Sequence, residues 1–205
     1  MTISIEPSDL TIVTATSLEY RIAREELPGV LVIEGGIALR RLERREFAGA
    51  VVSCGLAGGL RADLPTGTVL VPDSVQRPDG SLVRCDPELA GAFRKSAQDL
   101  GARYCDAPLL TSATLVRGAQ RLSWANRGYA AVDMETGLLH APRLAAVRVI
   151  LDAPQNELSA AWLHPATLIF HPRAWIELPW LAREGPRCAR LAARVVQQAL
   201  ERARD

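Results

Sequence analysis

The chain has 205 residues, and 24 basic against 23 acidic side chains leave a formal net charge of +1. With 48% apolar and 23% charged residues it can bury one sizeable core, which excludes global disorder, and it lacks the basic excess of a non-specific nucleic-acid binder. No apolar run approaches the ~20 residues of a membrane helix, and MTISIEPSDL has no basic stretch followed by an apolar one, so it does not read as a signal peptide.

DLTIVTA (9–15) is a short β-branched run and predicts a strand. TSLEYRIAREEL (16–27) predicts a helix capped by Thr16 or Ser17, and VLVIEGG (30–36) a strand ending in a glycine turn. In ALRRLERREF (38–47) arginines interleave with Glu43 and Glu46, which suits a solvated face. AGAVVSCGLAGGL (48–60) reads as a buried strand running into a glycine-rich turn, where a ligand could approach the main chain closely. TGTVLVPDSV (66–75) predicts another strand, and RPDG (77–80) a hairpin turn. PELAGAFRKSAQDLGA (87–102) is an amphipathic helix with Leu89, Phe93, Ala97 and Leu100 on one face. LLTSATLV (109–116) predicts a strand plus loop, YAAVDMETGLLHA (129–141) a strand passing into a helix, and AAVRVILDAP (145–154) a buried strand ending at an aspartate. In 186–205, Cys188, Leu191, Ala192, Val195 and Ala199 follow a helical period.

Strands alternating with helices predict one α/β domain over 1–205. The stretch 159–186 stands apart, with Trp162, Trp175 and Trp180, two histidines, and Pro165, Pro172, Pro179 and Pro186. The prolines speak against one regular helix there. The stretch suits a substrate lid or a subunit interface, or else a flap covering a monomer's core. Cys54, Cys85, Cys105 and Cys188 form no CxxC pair and have no zinc-ligand spacing with His140, His164 and His171. Reduced thiols in a cytoplasmic, metal-free protein are expected.

Three acidic positions fall at strand ends or turns: Glu19, the Asp133/Glu135 pair and Asp152. Ligands of open α/β sheets bind beyond the carboxyl ends of strands, so these acids stand in the right zone. Each could equally cap a helix start.

CGLAGGL (54–60) with GTVLVPD (67–73), VDMET (132–136), VRVILD (147–152) and IVTATSLEYR (12–21) together resemble the nucleoside phosphorylase/nucleosidase family, in that family's order and across about three quarters of the chain. The resemblance implies a three-layer α/β/α sandwich with a central mixed sheet, and cleavage of a purine nucleoside's N-glycosidic bond. It implies that Met134 packs on the ribose and Glu135 accepts from its hydroxyls. Asp152 would protonate or hydrogen-bond the purine near N7, and Glu19 would activate water. Gly55, Ala57 and Gly58 would lie beside the substrate, and Leu115 would replace the aromatic that stacks on the base. The resemblance further implies a homo-oligomer that takes a small nucleoside and needs no cofactor, with inorganic phosphate as an alternative co-substrate.

Several positions depart from the family. Ser53 and Leu56 stand where phosphorylases hold phosphate with an arginine and a hydroxyl, which favours water as nucleophile. Leu151 replaces a frequent serine before the aspartate. Arg21, Arg61 and Arg77 remain as alternative phosphate ligands. The tryptophan-rich stretch suits a bulky apolar 5′-substituent, as in the branch that acts on adenosyl-hopanoids. Two further readings stay open. One is a binding-only relative, suggested by Leu56 and Leu151. The other is an unrelated α/β protein whose glycine turn holds a nucleotide phosphate, although CGLAGGL lacks both the P-loop ending and the GxGxxG spacing.

Overall fold

The computed structural model describes residues 9–42, 46–159 and 172–204. Trp162, His164, Pro165 and His171 lie outside the described residues, as does Glu43 in the charged stretch.

The strands are β1 (Leu10–Thr14), β2 (Leu31–Glu34), β3 (Ala50–Gly59), β4 (Val69–Leu70), β5 (Ser74–Gln76), β6 (Leu82–Arg84), β7 (Tyr104–Cys105), β8 (Leu109–Thr111), β9 (Ala131–Asp133) and β10 (Arg143–Asp152). The helices are α1 (Ser17–Glu26), α2 (Pro87–Asp99), α3 (Ala119–Asn126) and α4 (Pro172–Arg204).

Long β3 organises one mixed sheet. Along one edge it runs parallel to β10, from Ala50 opposite Arg143 to Gly58 opposite Asp152. Along the other edge its first half pairs with β1 in parallel, and its last glycines pair with β9 antiparallel. β9 leads outward through β8 and β5 to β6, and β10 leads through β4 to β7. The carboxyl ends of β1, β3 and β10 therefore all point the same way.

Burial explains the arrangement. Val52, Val147 and Val149 point into a cluster with Leu89 and Phe93 of α2 and with Cys188, Ala192 and Val195 of α4. Ala57, Leu70, Val75, Leu109, Ala131 and Ile150 meet in a second cluster drawn from six strands. Helices flank the mixed sheet, as the α/β expectation requires. No helix among the described residues is long and apolar enough to cross a membrane.

Four local expectations need correction. Residues 54–59 do not turn; their glycines continue β3. The segment after Met134 forms one tight helical turn over Thr136–Leu138 rather than an α-helix, and the chain is extended again by Leu139. Leu100 caps α2 and is 39% exposed instead of sharing its buried face. Helix α4 begins at Pro172 and contains Pro179 and Pro186. Each proline frees a carbonyl four residues earlier. Trp175 and Ala182 are exposed, so water can reach the carbonyls concerned.

Candidate active site

Glu19 sits in the first turn of α1 with only 4% of its surface exposed. Thr16 caps the helix, and the two residues form a reciprocal capping box. Glu19 Oε2 accepts from the Ala15 and Thr16 amides at 3.2 and 2.7 Å and from Thr16 Oγ1 at 2.8 Å. Oε1 accepts from the Leu56 amide of β3 at 2.7 Å. The carboxylate thus ties the end of β1 to the middle of β3. Gly55 makes that tie possible, because a Cβ there would lie 2.2 Å from Glu19 Oε1. Capping does not withdraw Glu19 from the cavity: four donors fix the group, and it still borders open space.

Glu135 follows β9. Its Oε1 accepts from the Ala38 amide at 3.0 Å, and its Oε2 lies 3.5 Å from Arg148 Nη2. Burial pushes its carboxyl up to about 7; Arg148 opposes that rise and Asp133 adds to it. Ala38 and Leu39 both have φ of 54°, unusual for residues with a side chain. This bent backbone is what aims the Ala38 amide at Glu135.

Arg148 was not anticipated. It projects from β10, has no exposed surface, and reaches Asp133 at 2.8 Å, Ser53 Oγ at 2.6 Å and Thr136 Oγ1 at 3.1 Å. A lone arginine inside AAVRVIL was a signal, since a charge in a buried strand needs partners. Burial works against its charge, but Asp133, Glu135 and Glu19 outweigh that cost and raise its pKa. Ser53 is fully buried in this network and does not line the cavity.

Asp152 ends β10, and its Oδ2 accepts from Arg121 Nη2 at 2.5 Å and from the Leu158 amide at 3.3 Å. Arg121 is itself buried; it donates to the Gly59 carbonyl at 2.9 Å and the Val116 carbonyl at 3.2 Å, and pairs with Glu157 at 3.2 Å. Sequence gave no hint of Arg121, which stands on α3, a helix without a strong pattern of its own.

One cavity of about 260 Å³ brings these elements together. Of the expected site residues, Glu19, Ala57, Gly58, Leu115, Met134, Glu135 and Asp152 all line it. Gly55 does not; it lies behind Glu19. Leu56 and Leu151 line the wall as apolar surface, and Thr16, Ile37, Arg121 and Leu158 join it unanticipated. Arg121 is the single arginine or lysine among the described lining residues. Arg21, Arg61 and Arg77 are not among them; Arg61 is engaged with Asp63 at 2.6 Å. Cys54 supplies no nucleophile, because burial pushes its thiol up to about 12.

Residues 37–153, more than half of the sequence, match the Phosphorylase superfamily. The chain belongs to the phosphorylase superfamily. Curated protein sequences give no match. Among solved structures, this superfamily member resembles futalosine hydrolase of Helicobacter pylori at 13% identity and a TM-score of 0.68, covering 95% of this chain and 97% of that one. It also resembles a 5′-methylthioadenosine/S-adenosylhomocysteine nucleosidase from Colwellia psychrerythraea in complex with adenine, at 17% identity and a TM-score of 0.68, covering 98% and 97%. The corresponding nucleosidase from Neisseria meningitidis, in complex with methylthio-immucillin-A, matches at 15% identity and a TM-score of 0.68, covering 94% and 98%. At these identities the likeness establishes the fold.

Proposed function

We propose that this protein hydrolyses the N-glycosidic bond of a purine nucleoside. The observation that carries this reading is the convergence of Glu19, Met134, Glu135 and Asp152 on one cavity at the carboxyl ends of β1, β3, β9 and β10. The structural relatives include nucleosidases with adenine or a nucleoside analogue bound.

Met134 packs on the sugar and Glu135 accepts from the ribose hydroxyls. As the C1′–N9 bond breaks, its electron pair moves into the purine and positive charge builds on the sugar. Glu135 and Glu19 offset the sugar's charge electrostatically, and Arg121 beside Asp152 offsets the charge on the departing base. Glu19 takes a proton from the attacking water as the water oxygen bonds to C1′. The purine leaves as an anion and takes up a proton from solvent, the sugar keeps the hydroxyl, and Glu19 releases its proton to solvent, so one water is consumed and no cofactor is needed.

Water is favoured over phosphate by the lining. Leu56 offers no hydroxyl, Ser53 is sealed behind the wall, and Arg121, the one cation among the described lining residues, is engaged with Asp152. The protein acts on a small molecule in the cytoplasm as a homo-oligomer. Trp175, Ile176 and Leu178, exposed by 57%, 80% and 45% on the first turns of α4, offer apolar surface for a subunit contact.

The test is free-base release from adenosine, inosine, methylthioadenosine and a nucleoside with a large apolar 5′-group, with and without phosphate. Release without phosphate is expected, together with a loss of about 10²–10⁴ in kcat for Glu19→Gln. Release that requires phosphate overturns the hydrolytic reading, and binding without turnover of any substrate overturns the enzymatic one.

A further inference from the structure

Between β2 and β3 the chain turns toward the cavity over residues 36–39, where Ala38 and Leu39 are two consecutive non-glycine residues with positive φ. Such backbone is unfavourable for a residue with a Cβ and persists only where its surroundings hold it. The Leu39 side chain supplies that hold: it has no exposed surface and packs with Val13 of β1, Val51 of β3, Leu139, and Leu144 of β10. The Leu39 amide also closes the turn on the Gly36 carbonyl at 2.9 Å. None of these five buried side chains lines the cavity, whereas Ile37 of the same turn does. Between the anchor and the cavity, the Ala38 N–H donates to Glu135 Oε1 at 3.0 Å across 97 positions of sequence. Glu135 Oε2 is served from elsewhere: it accepts from the Met134 amide at 3.3 Å and lies 3.5 Å from Arg148 Nη2.

We propose that Leu39, although outside the cavity, is a positioning residue for Glu135: its burial holds residues 36–39 in the left-handed backbone that presents the Ala38 N–H to Oε1. The use made of Glu135 rests on the nucleosidase reading; the way it is held does not. An N–H donor favours the charged form of a carboxyl, so the turn opposes the burial that pushes Glu135 up. The charged groups that face Glu135 are Arg148 of β10, Asp133 of β9 and Glu19 of α1, and none of them belongs to the turn. Loss of the Leu39 anchor therefore lets the backbone relax, withdraws one donor from Oε1 and leaves the surrounding charges as they are.

Carbon-13 NMR titration of the Glu135 carboxyl in the free protein tests this without turnover, with the signal assigned by its loss in Glu135→Gln. In Leu39→Ala the midpoint is expected to rise by about one pH unit, which is what a hydrogen bond to a charged group is worth. The acid limb of kcat/KM should move with it, so that turnover falls about fivefold at pH 7 and recovers by about pH 9. Leu144→Ala removes the same atoms from the same cluster, but from a strand, and should leave the midpoint in place. Leu39→Met keeps the anchor and should do the same. Replacing the amide between Ile37 and Ala38 with an ester (lactic acid at position 38) deletes the N–H alone; it should raise the midpoint as Leu39→Ala does, and it carries the test if that variant does not fold. A midpoint that stays in place in the ester, or that moves as far in Leu144→Ala as in Leu39→Ala, overturns the proposal. Wild-type protein that releases no base while these midpoints move as expected overturns the nucleosidase reading and leaves the positioning of Glu135 standing.

Discussion

Glu135 is asked to be both buried and ionised. In the proposed reaction, accepting hydrogen bonds from two ribose hydroxyls needs the carboxylate, while burial raises its pKa from the ordinary 4.5 to about 7. As pH falls through 7 the group takes up a proton and loses acceptor capacity, so kcat/KM is expected to fall on that side. Glu135→Gln should remove this acid limb from the pH profile along with most of the activity. Stability moves the opposite way. The folded carboxyl holds its proton to higher pH than the unfolded one, so its contribution is whole below about 4.5 and is lost as pH rises through about 7. Urea denaturation across that window should show wild-type stability declining with pH more steeply than that of Glu135→Gln. An equal pH slope would count against the raised pKa.

At the scale of elements, β3 is where fold and site are one object. It pairs with β1, β9 and β10, and its glycine-rich end brings Glu19 and Asp152 to opposite sides of one backbone. Gly55→Ala should therefore act as a site mutation, although residue 55 does not line the cavity. The new methyl would lie 2.2 Å from Glu19 Oε1, in a carboxylate whose Oε2 is held by three donors, and displacing Oε1 strands the Leu56 amide. The expected cost is about 1–3 kcal/mol of stability, with at least a hundredfold loss of turnover. Gly80→Ala serves as control: its φ is also positive, at 86°, but nothing lies within 4 Å, so only backbone strain is expected and activity should persist. The glycines were readable as a functional signal, but their conformation was not. Composition favours a turn for CGLAGG, and what holds it extended is pairing with β9 and β10, strands more than 70 residues away in sequence by the register of Gly58 with Val132 and Asp152.

The whole molecule depends on the cluster shared by the sheet, α2 and α4. Phe93 is 1% exposed at its centre, between the strands and the C-terminal helix. Phe93→Ala should cost about 3–5 kcal/mol. The denaturation midpoint should drop with little change in its slope. Phe93 does not line the cavity, although its cluster shares Leu151 with it, so base affinity in the folded variant should change less than tenfold; a larger loss would mean that the core and site are mechanically coupled.

Much was determined by sequence alone. The β-branched runs set β1, β3 and β10, the period of Cys188 to Ala199 set the helical face of α4, and four short motifs in order indicated the superfamily and the acids Glu19, Glu135 and Asp152. These are local patterns or family order, and both are written along the chain. Tertiary structure decided what each acid meets. Arg121 reaches Asp152 across 31 positions and Arg148 reaches Asp133 between separate strands. It also let α4 run through two prolines, since solvent can satisfy the freed carbonyls. The physical reason is the same throughout: the protonation, orientation and reach of a polar group depend on its neighbours in space, and spacing in sequence carries no record of them once the contact is long-range.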